Sequence, residues 1–257
     1  MNKEHKIEDF SIEIREQRPF VHCITNHVTV NDCANILLAV GASPTMAHHP
    51  LEVEEVTQGC HSLVCNLGAT DDYEAMLIAV GVAGKAGHPI VVDPVGVGCS
   101  RFRREQFWKM IKQSRIACIR GNLSEIRALW DNQATTLGVD AAEDMQTLEE
   151  KDRLVIEFSK KVGSIVVASG ETDIVSDGVQ CVHITNGSNL MTKVTGCGCM
   201  SSALIGAYLA VENRVEAVVA ACTRMGRLGE LAEQRTKELG GGTMTFRMLL
   251  IDEISKR

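Results

Sequence analysis

The string Lys193-Val194-Thr195-Gly196-Cys197-Gly198-Cys199 sets two glycines and two thiols directly before a small-residue apolar segment, Met200 to Ala210. A glycine turn feeding a helix leaves about four N–H groups unpaired at the positive end of the helix dipole, so an anion is its natural occupant. Gly196 and Gly198 let that backbone approach a ligand closely, and Cys199 sits beside the anion. Asp93 ends the apolar run Ile90-Val91-Val92, where a buried carboxylate is costly unless a metal or another cation answers it. Asn122 and Glu125 stand three apart behind Arg120, a spacing that suits a helix cap with Glu125 in the first turn. Asp93 and Glu125 together would also place Mg²⁺, which keeps several waters and takes one or two carboxylates plus phosphate oxygens. The chemistry in view is the handling of phosphate with a cation at hand.

Such groups need strand ends and helix starts to carry them. Phe20 to Ile24 is a short apolar strand stopping at Thr25-Asn26, and Cys33, Ile36, Leu37 and Val40 space a helix that ends at Gly41. Pro44, Thr45 and Met46 fall on a second loop. Ser62 to Leu67 reads as a buried strand leading to Gly68, and Ile90 to Pro94, Ala117 to Ile119 and Ile165 to Ala168 as three more. Arg120 to Glu125 and Ser169-Gly170 are then assigned to the loops beyond. Asp173 to Ile184 alternates through Asp177-Gly178, the pattern of a hairpin. Strands alternating with helical segments predict a parallel sheet covered on both faces, with ligands outside the carboxyl ends of its strands. Asp93, Arg120, Ser169 and the 196–199 turn are therefore expected to share one cleft. With no solenoid repeat and no Pro- or Ser-rich linker, one domain over 1–257 is the simplest account.

Composition removes several classes of function. A formal net charge of -7 argues against non-specific nucleic-acid binding, which depends on a basic surface. The first 17 residues alternate charged and apolar side chains, which fits neither a signal peptide nor a membrane span, and cytoplasmic residence is the expectation. The 10 cysteines sit largely inside apolar runs such as Leu63-Val64-Cys65, so they read as small buried hydrophobes rather than a disulfide framework. His22-Cys23, His48-His49 and Cys60-His61 lack the paired spacing of structural zinc ligands, and Cys197-x-Cys199 is not the redox pair Cys-x-x-Cys. The position matching the third glycine of a dinucleotide fingerprint is Ser201, and no P-loop string occurs.

The strings PFVHCITNHVTVNDCAN (19–35), GASPTM (41–46), NLGATDD (66–72), VVDPVGVG (91–98), IRGNLSEI (119–126) and TGCGC (195–199) occur in that order, and the chain ends in GGTMTFRMLLIDEI (241–254). Taken together the chain resembles the hydroxyethylthiazole kinase family over about residues 10 to 255. The resemblance implies a ribokinase-like three-layer α/β/α sandwich with a mostly parallel central sheet. It also implies transfer of the ATP γ-phosphoryl to the alcohol of 4-methyl-5-(2-hydroxyethyl)thiazole, in a homotrimer with active sites between subunits.

Carried over motif by motif, Met46 and Gly196 would contact the thiazole, with Asn26 and Gly68 close by. Arg120, Ser169 and Asn122 would bind ATP, while Asp93 and Glu125 would hold or orient Mg²⁺. Cys199 would act with the Gly196 and Gly198 turn at the place where most ribokinase-like kinases have a catalytic aspartate. Two positions depart from the family's usual residues: Cys197 stands for alanine and Ser169 for threonine. A thiol at a helix N-terminus is expected below its ordinary value of about 8.5, and bound phosphates push it back up. Three other readings stay open at this point. They are a sugar or pyrimidine kinase or ATP-dependent repair enzyme on the same sheet, a hydrolase with Cys199 as nucleophile, and a catalytically silent nucleotide-binding regulator.

Overall fold

The structure, a computed structural model, describes the backbone of residues 3–132 and 147–256 and the side chains of 10–132 and 147–256. The single-domain expectation over 1–257 also takes in 1–2, 133–146 and 257, which lie outside the described residues. Within the described residues the strands are β1 (Phe20–Ile24), β2 (Ser43–Thr45), β3 (Ser62–Asn66), β4 (Ile90–Asp93), β5 (Cys118–Asn122), β6 (Ile165–Ser169), β7 (Asp173–Ser176) and β8 (Cys181–Ile184). They form one sheet in the order β2-β1-β3-β4-β5-β6-β7-β8. Pairing is parallel from β2 through β6 and antiparallel for β6-β7 and β7-β8.

Helices cover both faces. On one lie α1 (Lys3–Gln17), α2 (Val30–Val40), α8 (Cys197–Val211), α9 (Val215–Glu238) and α10 (Thr243–Lys256). On the other lie α3 (Val53–Gln58), α4 (Tyr73–Ala86), α5 (Arg101–Gln113), α6 (Leu123–Asp131) and α7 (Leu148–Val162). Strand side chains alternate between the two resulting cores. Val21, Val64, Val91, Cys118 and Val167 pack into the core on the α8 and α9 side, while Ile24, Leu63, Val92, Ile119 and Val166 pack into the core on the α4, α5 and α7 side. Burial on both faces is why these strands are near-continuous Val, Ile and Cys runs. α8 is buried along nearly its whole length, which explains a sequence that is small and apolar all round.

Three boundaries differ from the sequence reading. Ser43–Thr45 is a short edge strand rather than a loop, a place that tolerates Pro44 because its missing N–H faces no neighbour. Arg120, Gly121 and Asn122 belong to β5, and Ser169 to β6, because their backbones continue to pair. α6 then starts at once, so no loop separates Arg120 from Glu125. The 196–199 turn is likewise not a loop: Gly196 caps α8, and Cys197, Gly198 and Cys199 form its first turn. The hairpin over 173–184 forms as expected, with Gly178 in the left-handed region.

Candidate active site

The period of two along a strand decides which polar groups meet. Val64, Val91 and Cys118 lie on the sheet face covered by α8 and α9, so two positions further on Asn66, Asp93 and Arg120 lie on that face too. β5 adds Asn122 and β6 adds Ser169, two residues past Val167. Register aligns Asn66 with Asp93 and Asn122 with Ser169, which makes one polar row across the carboxyl ends of four adjacent strands. Of the residues expected to share one cleft, Arg120, Ser169, Cys197 and Gly198 line a common cavity, whereas Asp93 is buried and stands outside its lining.

The first turn of α8 lies over this row. Gly196 holds φ of +92°, a conformation that strains any residue with a Cβ, and no side chain caps the helix. Gly198 comes so near Arg120 that a Cβ there would lie 2.5 Å from Nη1. Asn66 Nδ2 donates to Cys199 Sγ at 3.2 Å and to Asp93 Oδ2 at 3.0 Å. Ser202 Oγ donates to the same Asp93 oxygen at 2.8 Å. Asn26 Nδ2 donates to Asn66 Oδ1 at 3.2 Å and to Cys199 Sγ at 3.6 Å, and Gly68 N donates to Asn66 Oδ1 at 2.9 Å. Behind Gly196, Arg247 of α10 forms an ion pair with Asp32 in the first turn of α2, Nε donating at 2.9 Å and 3.0 Å to its two oxygens.

Burial sets the charges. Asp93 is 1% exposed, and burial pushes its carboxyl up to about 7 against the pull of Arg120. Burial works against the charge on Arg120, yet Asp93, Asp173 and Glu125 hold it above the ordinary arginine value. Arg120 Nε is buried without a hydrogen-bond partner among the described residues. A carboxylate short of positive charge beside a cation with an unused donor suits a divalent cation and a phosphate together, so this donor set fits Mg²⁺ at Asp93. The Cys199 thiol does not fall as a helix N-terminus alone predicts. Burial, then Asp93, push it up to about 12, outweighing hydrogen bonds from Thr29 and Asn26.

That neutral thiol weakens the hydrolase reading. The groups bonded to Cys199 are asparagine amides and Thr29, and the buried His22 is occupied by Thr57 Oγ1 at 2.9 Å and Ala47 O at 2.8 Å. Cys197 is buried against the same strand row, and burial raises its thiol to about 11. Nothing in the structure explains why a thiol stands there.

A cavity of about 650 Å³ opens beside Gly198 and is lined by Arg120, Asn122, Ser169, Cys197 and Asp173, with residues 185–189 along another wall. It gathers all three residues assigned to ATP. Asn26, Gly68 and Met46 lie outside its lining; the first two join the Asn66 network, and Met46 leaves β2 in a loop whose His48 ring meets His27 at 6.4 Å. Glu125 forms the cap that its spacing predicts. Its Oε2 accepts from Asn122 N and its Oε1 from Gly96 N, both at 2.9 Å, while Asn122 Oδ1 accepts from Glu125 N at 2.8 Å.

Sequence reading missed Asn66, Ser202 and Thr29. Asn66 carried a signal of the same kind as Asp93, a polar residue closing an apolar strand. Ser202 and Thr29 carried none, since a serine inside a small-residue helix and a threonine before α2 look unremarkable until the fold sets them against Asp93 and Cys199.

Residues 12–256 match the model of the family described as "HK: Hydroxyethylthiazole kinase family". A hydroxyethylthiazole kinase of Clostridium botulinum (strain Eklund 17B / Type B) is 43% identical over 248 residues, covering 95% of this chain and 88% of the relative. The solved structure of a hydroxyethylthiazole kinase from Pyrococcus horikoshii OT3 superposes with a TM-score of 0.86 at 34% identity, covering 99% of this chain and 94% of the other. A ribokinase-like superfamily protein of Enterococcus faecalis V583 has a TM-score of 0.62 at 12% identity, covering 100% of this chain and 96% of the other, a likeness of fold alone. The architecture is thus the ribokinase-like α/β/α sandwich.

Proposed function

The chain belongs to the hydroxyethylthiazole kinase family, and from that premise we propose how its residues divide the work. The protein is a phosphotransferase that phosphorylates the hydroxyl of 4-methyl-5-(2-hydroxyethyl)thiazole, in thiamine salvage, with ATP as co-substrate. ATP occupies the cavity lined by Arg120, Asn122 and Ser169, and the thiazole lies on the Asn26, Met46 and Gly68 side of Gly196. The observation that carries this assignment is the uncapped N-terminus of α8 packed at Gly198 against the Arg120 guanidinium, between those two groups of residues.

Phosphoryl transfer passes through a loose transition state whose charge sits on the phosphoryl oxygens, so positioning and electrostatics supply most of the catalysis. The amides of the 197–199 turn and the α8 dipole face that charge, and Arg120 neutralises the polyphosphate. Cys199, kept neutral by burial and held by two asparagine amides, orients the substrate hydroxyl. Asp93 would hold Mg²⁺, with Glu125 orienting it from the α6 cap. When bound, the ion would neutralise charge on the phosphate groups.

The whole chain acts as one kinase domain, in the cytoplasm, as a homotrimer with active sites between subunits. No helix among the described residues is long and apolar enough to cross a membrane. The trimer rests on the family resemblance, which places a neighbouring subunit beside the two substrate-side loops that meet through His27 and His48. Light scattering is expected to give three chains per particle, and a monomer overturns that part. A coupled assay of ADP release tests the reaction: release is expected only with the thiazole alcohol present, and equal release without it refutes the assignment.

A further inference from the structure

Away from this cleft, α7 and the edge strand β8 bring three ligating side chains together. Asp152 comes from α7, and Cys181 and His183, two residues apart, project from one face of β8. His183 Nε2 lies 2.7 Å from Asp152 Oδ1, and one ligating atom from each of the three lies within 4.8 Å of the other two. Among the described residues this is the one group of three His, Cys, Asp or Glu side chains gathered so closely.

We propose that Asp152, Cys181 and His183 form a binding site for a borderline-soft divalent transition-metal ion of the zinc class, with a fourth position open to water. One sulfur, one imidazole nitrogen and one carboxylate oxygen suit Zn²⁺ and are a poor set for Mg²⁺ or Ca²⁺, which take oxygen ligands. Three protein ligands with one open position is the arrangement of an accessible zinc site rather than a closed structural one. The set escapes a spacing search because Asp152 precedes Cys181 by a helix and two strands, and only packing brings it close.

Without an ion the trio is internally hydrogen-bonded, Asp152 holding both the His183 ring and the Cys181 thiol. Burial, then the Asp152 carboxylate, push that thiol up to about 11, so at neutral pH the ion must displace its proton. On binding, the Cys181 proton leaves to solvent and Sγ becomes a thiolate ligand, while His183 presents its Nε2 lone pair with its proton on Nδ1. Thiolate and carboxylate then balance the two positive charges. The bound ion ties an edge strand of the sheet to α7, because among the described residues β8 pairs with β7 and ends the strand order. β8 leads directly into Thr185, Asn186 and Ser188 on the cavity wall, so the tie fixes the strand that carries that wall.

The test uses the full chain, reduced and in Mg²⁺ buffer, dialysed against Zn²⁺ alone and Co²⁺ alone. About one ion per chain is expected, with a thiolate-to-cobalt charge-transfer band in the Co²⁺ form. Cys181→Ser and His183→Ala should each lose affinity by about ten-fold or more, lose or alter that band, and lose the rise in Tm that Zn²⁺ gives the unaltered protein. Turnover of Cys181→Ser with no zinc present should match the unaltered protein, which shows that the variant folds. If it does not fold, Asp152→Asn carries the same readings. No ion retained by the unaltered protein, or equal retention by these variants, overturns the proposal and leaves a hydrogen-bonded trio.

Discussion

Two helices point their N-termini at the same polar row, and they solve the problem of unpaired amides in opposite ways. α6 closes its own end: Asn122 accepts from Glu125 N, and Glu125 accepts from Asn122 N and from Gly96 N. α8 has Gly196 in the capping position and no side-chain cap among the described residues. An end that carries its own carboxylate has its dipole answered within the chain. An end that is left open, with Arg120 beside it, favours a ligand with negative charge. On the proposed assignment, the difference separates the helix start that shapes the site from the one that meets the substrate.

The strongest way to break this contrast is to fill the open end. In Gly198→Val the new Cβ would sit 2.5 Å from Arg120 Nη1, displacing the guanidinium from the row. Turnover is expected to drop by about 10²-fold or more with the fold retained, as misplacement by an ångström commonly costs. Unchanged steady-state turnover would show that the open end of α8 does not hold the phosphoryl group.

A smaller change removes the thiol but leaves the amides. Cys199→Ala should lower kcat by about ten-fold, at or below the low end for a positioned proton-handling group, and leave KM for ATP nearly unchanged. Cys199→Asp should retain or raise kcat, because the Asn26 and Asn66 amides already donate toward that position. Full kcat in Cys199→Ala removes this residue from the reaction.

Much of this arrangement is legible in the chain itself. Ile90-Val91-Val92-Asp93 announces a buried strand with a carboxylate at its end, and alternation then dictates which face that carboxylate takes. The length of β5 is not legible, since Arg120, Gly121 and Asn122 have the composition of a loop and become strand only through pairing with β6. The Asp32–Arg247 pair behind Gly196 joins α2 to α10, and no local pattern signals it. The Cys199 thiol is the clearest case of a competition that sequence leaves open, because dipole and burial act in opposite directions and only packing shows that burial wins.

Asp93 offers a test through pH. Its folded carboxyl titrates near 7, above the ordinary aspartate value of 3.8, so between those two values the folded chain holds a proton that the unfolded chain has released. Its contribution to stability is therefore present in full below about pH 4 and is lost as pH rises to about 7. In the absence of Mg²⁺, Tm should decline over that range by about 10 °C more in the unaltered protein than in Asp93→Asn, since titration near 7 rather than 3.8 is worth about 4 kcal/mol and about 1 kcal/mol moves the midpoint of a chain this size by about 2–4 °C. Mg²⁺ bound at Asp93 should flatten the decline. Identical pH profiles for the two proteins would mean that Asp93 carries no strained charge.

The smallest expected effect sharpens the contrast at the closed end, where Glu125 has been given both a capping and a cation-orienting task. Glu125→Gln keeps one acceptor oxygen but turns an amide NH₂ toward either Gly96 N or Asn122 N, at a cost of about 1 kcal/mol for the unpaired donor. Asn122→Ala removes the reciprocal bond at a similar cost of about 1 kcal/mol, without touching the carboxylate charge. Both variants should thus lower Tm alike. If Glu125 also orients the cation, Glu125→Gln alone should raise the Mg²⁺ concentration for half-maximal turnover, by about five-fold for about 1 kcal/mol of lost interaction. A Mg²⁺ dependence in Glu125→Gln equal to that of the unaltered protein would confine Glu125 to the cap and leave the cation to Asp93, making α6 a purely structural helix start.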